Sequence, residues 1–360
     1  MSTGISNADL IDLQKTTLAN LPDMEFEYAL AQQNYPVLNR WFKQNKKQIE
    51  SGTSIERNIV LYDNGNAQHV RLYQKTPLNI GDTQLKITAP WCQVQTYYSV
   101  ERREALRNRA PARYIDMLKS RRLDSMMAMA NLLERRAWAT PNSQSDDLNP
   151  RGLPYWLSKC DNGVTSAGDF IGKTIRFGDG STSTNKGGID GNLAAYARWR
   201  NYAGTYTAVD ADFVKRMRRA FHALDFQSPI TVTDLKEGPA AMYKIYMGLD
   251  ALVEYEDLVT SKNADNLGND LDKFHGNTVF RRVEIVHTAS LDGDADKPVY
   301  GVNHAKFYPV VQEGDWMRES DPMMDVEQHN VITTFVDSSY QYFDINVRES
   351  GFVLHLGIAA

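Results

Sequence analysis

Residues 101–137 read ERREALRNRAPARYIDMLKSRRLDSMMAMANLLERRA, and this stretch carries the strongest helical signal in the chain. Ten Lys/Arg stand against five Asp/Glu within it. Leu106, Ala110, Tyr114, Leu118, Met126, Met129, Leu133 and Ala137 recur mostly three or four apart, which predicts one apolar stripe on a charged helix. Pro111 either opens the main helix or kinks it, since its ring has no amide hydrogen for the preceding turn. From Pro111 to Ala137 such a helix spans about 40 Å at roughly 1.5 Å per residue, long for a globular domain and suited to a structural spine.

Upstream the period changes. Residues 57–62 and 68–73 flank Asp63-Asn64-Gly65-Asn66 and predict two strands around an Asn-Gly turn. Further strand-like runs follow at 85–89 and 92–98, divided by Pro90. An isolated hairpin is marginally stable in water, so this one is either the edge of a larger sheet or an arm that lies on a neighbour. Residues 1–52 read as a helical arm. Ser6 with Asp9 forms a capping pair before the thin stripe Ile5, Leu10, Leu13 and Leu21. Pro36 opens a second helix carrying Leu38, Trp41, Phe42 and Ile49 on one side, with Gly52 just past its end. So few apolar positions cannot close a core alone, and the arm needs another surface.

Downstream, residues 140–205 are rich in Gly, Ser, Asn and Thr and read as loop and short strand. Residues 207–224 read as a helix with Val209, Phe213, Met217 and Phe221 at fourfold spacing. Strands are expected at 230–233, 279–286 and 299–311 around a second helical stretch at 240–247, and a strand-rich pair closes the chain over 331–356. No internal repeat or linker is visible, so the elements interleave in an α+β fold.

Composition sets limits on function. Thirteen Phe, eighteen Tyr and six Trp in 360 residues exclude a disordered polypeptide. The net charge of −5 argues against a general nucleic-acid binder. It hides an asymmetry: residues 1–200 hold 26 Lys/Arg and 20 Asp/Glu, whereas residues 201–360 hold 14 and 25. Halves of opposite sign can dock copies of the chain on one another. Cys92 and Cys160 are too few for a disulfide framework. Neither a secretory signal nor a run of ~18 apolar residues occurs, so a soluble protein made in the cytoplasm, with no membrane partner, is expected.

Catalytic motifs are missing where they would be sought. The closest two of the seven histidines are twelve residues apart, which excludes the helical zinc spacing. Gly172-Lys173-Thr174 has Ala167 where a phosphate loop needs its first glycine. Asp292-Gly293-Asp294-Ala295-Asp296 opens like a calcium loop, but Lys297 and Asn303 occupy the positions of the required Gly and Glu. No segment specifies a catalytic site, and neither enzyme activity nor a cofactor or metal is expected.

The order of elements, with Gly152-Leu153-Pro154-Tyr155-Trp156-Leu157, Gly187-Gly188-Ile189-Asp190 leading to Trp199-Arg200-Asn201, and Pro298-Val299-Tyr300-Gly301-Val302-Asn303, resembles the major capsid proteins of tailed double-stranded DNA phages, the Hong Kong 97-type fold. The tail Tyr340-Gln341, Asn346-Val347-Arg348 and Gly351 is similar as well. The resemblance covers essentially the whole chain. It implies an N-terminal arm (1–52), an extended loop (53–100), a peripheral domain (101–223 and 311–360) with the spine helix 101–137, and an axial domain (224–310). It further implies a structural protein of the virion capsid that forms hexamers and pentamers of an icosahedral shell in the bacterial cytoplasm. Implied partners are packaged double-stranded DNA on the inner face, a separate scaffolding protein, a portal and a decoration protein. Subunit contacts are expected at Asn64, Gly65, Arg71 and Lys75 of the loop and at Arg113, Arg121 and Arg122 of the spine. Some relatives cross-link subunits through a loop lysine, a position Lys75 and Lys86 fit weakly. An encapsulin-like compartment shares the fold and differs in holding protein cargo, and a β-rich hydrolase would need clustered histidines and carboxylates.

Overall fold

The computed structural model describes residues 35–50, 52–62, 69–72, 84–107, 111–224, 243–262, 278–281, 283–324, 328 and 330–357. Two sheets organise them. The six-stranded sheet holds β1 (Lys47–Ile49), β4 (Cys92–Glu101), β15 (Phe307–Gln312), β16 (Arg318–Glu319), β17 (Met323–Met324) and β18 (Val331–Asp344). One edge of β18 pairs antiparallel with β4, from Val331 opposite Glu101 to Tyr340 opposite Cys92. Its other edge takes β17, β16 and β15 in turn, and β1 adds outside β15 in parallel.

The seven-stranded sheet runs in the order β12 (Val279–Phe280), β13 (Val283–His287), β11 (Tyr243–Met247), β14 (Val299–Asn303), β19 (Gly351–Leu356), β10 (Asn201–Tyr206) and β5 (Asp169–Gly172). The chain crosses between the two sheets three times, through residues 101–169, 303–307 and 344–351. Two small ribbons pair β6 (Ile175–Arg176) with β7 (Thr182–Ser183) and β8 (Asn185–Lys186) with β9 (Ile189–Asp190). Strands β14 and β19 approach so closely that a Cβ on Gly301 would stand 2.1 Å from the Phe352 ring. Only glycine fits there.

The helices are α1 (Arg102–Arg107), α2 (Pro111–Ala137), α3 (Leu153–Trp156), α4 (Ala211–Leu224), α5 (Leu249–Lys262) and α6 (Val347–Ser350). Pro111 starts α2 rather than kinking it. Leu118, Met129, Leu133 and Ala137 of that helix are buried. Asp210 caps α4, its Oδ1 accepting from the amides of Asp212 (2.8 Å) and Phe213 (3.1 Å). Phe213, Met217, Ala220 and Leu224 then face a second core together with Ala251 and Tyr255 of α5.

Several expectations are corrected. The first hairpin strand, β2 (Ser54–Val60), pairs with β3 (Gln84–Pro90), in register from Ser54 opposite Pro90 to Val60 opposite Gln84, and the described residues 69–72 of the expected partner form no strand. That choice buries Ile55, Ile87 and Ala89, whereas Val70 and Leu72 stay 56% and 88% exposed in a segment without strand pairing. The helix opened by Pro36 is a π-helical turn, Val37–Phe42, and Ile49 belongs to β1 instead. Trp41 is fully buried within its own chain, ringed by Trp138, Tyr246, His304, Phe307 and Tyr342, so this part of the arm needs no neighbouring subunit.

The helix expected at 240–247 is strand β11 over its described residues, because hydrogen bonding to β13 and β14 on both sides overrides local propensity. Residues 279–286 fold back at Arg281 into β12 and β13, and 299–311 divides at Asn303 between the two sheets. The closing strands β18 and β19 likewise lie in different sheets rather than pairing with each other. The strand at 230–233, the capping pair Ser6 and Asp9, and the Asn64-Gly65 turn lie outside the described residues.

Candidate assembly surfaces

The β2–β3 ladder is a two-stranded sheet of its own, anchored at its base. Thr88 donates its amide to the Gly187 carbonyl (2.8 Å), Arg151 Nη1 donates to the Thr88 carbonyl (2.6 Å), and Trp91 Nε1 donates to the Gly52 carbonyl (2.9 Å). Farther out, Glu56, Arg57, Asn58 and Val60 are exposed, and Glu56 pairs with Lys86 across the ladder. Val60 at the end of β2 is exposed, as are Val70 and Leu72. A two-stranded ribbon that joins neither large sheet leaves strand edges and apolar surface for another chain to cover.

Of the expected contact residues, Asn64, Gly65 and Lys75 lie outside the described residues, Arg71 is exposed beside Leu72, and Arg113 sits on α2 with its side chain undescribed. Arg121 and Arg122 are engaged within the chain. Arg121 Nη1 donates to the Ser99 carbonyl (2.6 Å) and its Nη2 to Glu104 Oε2 (2.7 Å); Arg122 Nε donates to Glu319 Oε1 (2.7 Å). Ser125 Oγ also donates to the Tyr97 carbonyl (3.0 Å). The basic helix thus covers the free edge of β4, satisfying carbonyls that would otherwise invite another strand.

Three buried ionisable groups join distant segments. Lys186 Nζ, fully buried, lies within 2.7–3.0 Å of the carbonyls of Trp156 and Gly172, Ser158 Oγ and Asn201 Oδ1. Burial pushes this amine down to about 7 and pushes the Asp344 carboxyl up to about 7. Trp199 Nε1 donates to the Lys186 carbonyl and the Tyr155 hydroxyl accepts from the Gly187 amide, so residues of the quoted motifs assemble around one ammonium. Glu134 accepts from the Val37 amide (3.0 Å) and Trp138 Nε1 (3.2 Å), fastening the π-helical turn to α2, and burial raises it to about 7.

Sequence reasoning missed all three: Lys186 stands in a Gly-rich loop with no local sign of burial. His304, pushed down to about 3 by burial, shares a hydrogen bond (2.7 Å) between its Nε2 and the Tyr246 hydroxyl, which accepts from Trp41 Nε1. Burial likewise raises the Cys92 and Cys160 thiols to about 12 and about 11. Among the described residues no three His, Cys, Asp or Glu side chains converge as a metal site, and no helix is long and apolar enough to cross a membrane. The Asp292–Asp296 turn engages Lys159, which reaches Asp294 (3.1 Å) and Asp296 (2.6 Å).

Helices α4 and α5 lie side by side on the second core, with a cleft of about 520 Å³ between them lined by Val214, Arg218, Tyr255, Val259 and Arg281. Lys215, Arg218 and Arg219 are exposed on α4, and Asp250, Glu254 and Asp257 on α5.

No family model and no curated protein matches the sequence. Solved structures do. The cyanophage A-1(L) capsid asymmetric unit matches with a TM-score of 0.60 at 12% identity, over 96% of this chain and 99% of that one. The capsid of Myoviridae phage XM1 gives 0.51 at 9% identity over 94% and 97%, and the mature capsid of bacteriophage PhiM1 gives 0.50 at 10% over 95% and 93%. The chain therefore has the fold of phage capsid subunits.

Proposed function

We propose that this chain is the major capsid protein of a tailed double-stranded DNA phage, a structural subunit rather than an enzyme, building hexamers and pentamers of an icosahedral shell. The observation that carries the reading is agreement of fold over nearly the full length of both chains. In Hong Kong 97 terms we read 1–52 as the arm, 53–100 as the extended loop, 101–223 and 311–360 as the peripheral domain with α2 as its spine, and 224–310 as the axial domain. The six-stranded sheet draws β1, β4 and most of β15 from outside the peripheral range. The axial sheet also draws on β5, β10 and β19 from outside 224–310.

Asn64, Gly65, Arg71 and Lys75 would then reach an adjacent subunit, and Arg113 would add a contact from the spine. A separate scaffolding protein, a portal and a decoration protein are the partners proposed, with packaged DNA inside a virion assembled in the bacterial cytoplasm. The anchored ladder with its apolar end supports an arm that another copy completes. The test is expression with and without the neighbouring phage structural proteins, followed by electron microscopy and nucleic-acid analysis of the particles. Closed shells or ring-shaped capsomers are expected; a strictly monomeric protein under every condition overturns the reading. Particles filled with protein cargo instead of nucleic acid would transfer it to a compartment shell.

A further inference from the structure

We propose that the exposed basic stripe of α4 docks on the exposed acidic stripe of α5 in a second copy of this chain, forming a head-to-tail contact that repeats around a ring. The inference rests on the capsid reading and deepens it by naming one subunit contact.

The helices themselves separate the stripes. At 100° per residue, Phe213, Met217, Ala220 and Leu224 turn α4 toward the core, which leaves Lys215, Arg219 and His222 on the opposite side. On α5, Ala251 and Tyr255 face the core and Leu249, Val253 and Asp257 face away. Leu249 and Val253 are 50% and 47% exposed, an apolar pair flanked by Asp250, Glu254 and Asp257. A patch with an apolar centre and a charged rim has the composition of a protein interface.

Most of these charges are uncompensated among the described residues. Among the described residues no carboxylate lies within ion-pair distance of Lys215, Arg218, Arg219 or Arg281; Arg281 Nη2 instead meets His222 Nε2 at 3.1 Å. On α5, Asp250 and Glu254 share Lys297 (3.7 and 2.9 Å), and among the described residues no cation lies within ion-pair distance of Asp257. Two complementary patches at different places on one molecule make a heterologous contact, the kind that generates rings when the rotation closes. A second copy is favoured over nucleic acid because Asp250, Glu254 and Asp257 on the same surface repel phosphate and because Leu249 and Val253 call for apolar cover.

The test is a charge swap within one chain. Lys215→Glu with Arg219→Glu makes both stripes acidic, Glu254→Lys with Asp257→Lys makes both basic, and the fourfold variant exchanges them. Among the described residues Lys215, Arg219 and Asp257 have no ion-pair partner, and matched thermal melts check that each variant folds. Subunit association, measured by analytical ultracentrifugation from low to high salt, should weaken about tenfold in each double variant at low salt, given ordinary exposed-pair strengths. It should return in the fourfold variant and in an equal mixture of the two doubles.

Association at the parental level in every variant overturns the pairing. So does loss of packaged DNA from the Lys215→Glu/Arg219→Glu variant with assembly intact, which assigns the basic stripe to the genome. Soluble rings that obey the swap without ever closing into shells would remove the capsid reading and leave the pairing standing. Shells that form from all variants at all salts would do the reverse.

Discussion

Replacing Trp41 by alanine tests where the N-terminal segment belongs. The indole is fully buried, with five aromatic rings centred 5.2–5.8 Å away, and its Nε1 donates to the Tyr246 hydroxyl at 2.8 Å. Truncating a buried aromatic to alanine costs about 3–5 kcal/mol, since the removed atoms lose both their transfer free energy and their neighbours. The lost hydrogen bond adds at most about 1 kcal/mol, because the Tyr246 hydroxyl keeps its bond to His304. A total near 4 kcal/mol, on a urea slope of about 3 kcal/mol/M, lowers the unfolding midpoint by more than about 1 M. The measurement is far-UV circular dichroism against urea on subunits kept unassembled, with Trp41→Phe expected to retain most of the midpoint. A variant that unfolds at the parental midpoint yet fails to assemble would refute the reasoning. It would return Trp41 to a neighbouring subunit's surface, as the sequence alone suggested.

Two further outcomes follow from buried and paired charges. The Glu134 carboxyl is raised from 4.5 to about 7 in the folded chain, so its favourable contribution is complete below about pH 4.5 and is lost as pH rises through about 7, a swing of at most about 3 kcal/mol. Urea midpoints between pH 5 and 8 should therefore fall less steeply in Glu134→Gln than in the parent, and parallel profiles would remove this role. Arg122→Glu sets two carboxylates together at Glu319 on a surface about one-third exposed. It should cost the subunit about 1 kcal/mol, read from thermal melts, and Glu319→Arg should recover it. An unchanged melt with abolished assembly would make Arg122 a subunit contact instead.

The elements that sequence reasoning located are those whose evidence is local. The limits of α2 at Pro111 and Ala137, the amphipathic α4 and strand β4 all follow from periodicity and from proline chemistry within a dozen residues. The misses involve partners far along the chain. Nothing near residue 60 says that β3, rather than 68–73, completes the ladder, because a run of polar and apolar residues fits either register until Ile87 and Ala89 are seen packed near Gly187 and Trp156. The strand at Tyr243–Met247 was mistaken for helix because its two partners begin about forty and fifty residues later. For the assembly surfaces, the basic character of α2 was legible, yet its use was not: Glu104, Glu319 and the β4 carbonyls absorb charges that looked free. The Lys186 cage was foreshadowed only by the family-like motifs, whose tryptophans and asparagine meet there.

Strand β18 has a consequence for the timing of biosynthesis. It is the partner of β4, β15, β16 and β17, and its Tyr342 closes the pocket around Trp41. At a ribosomal pace of 5–20 residues per second, roughly 300 residues separate the two aromatic rings by about 15–60 s. For about the last 240 residues of it, about 12–48 s, β4 has been made without the strand that pairs with it, and an unpaired strand edge is exposed to aggregation. The same delay acts as an inspection step. A polypeptide that terminates early, or is cut before residue 331, lacks the strand on which the six-stranded sheet is built. Such a product cannot present a native face to other copies, and completeness of translation becomes a condition for entering any assembly.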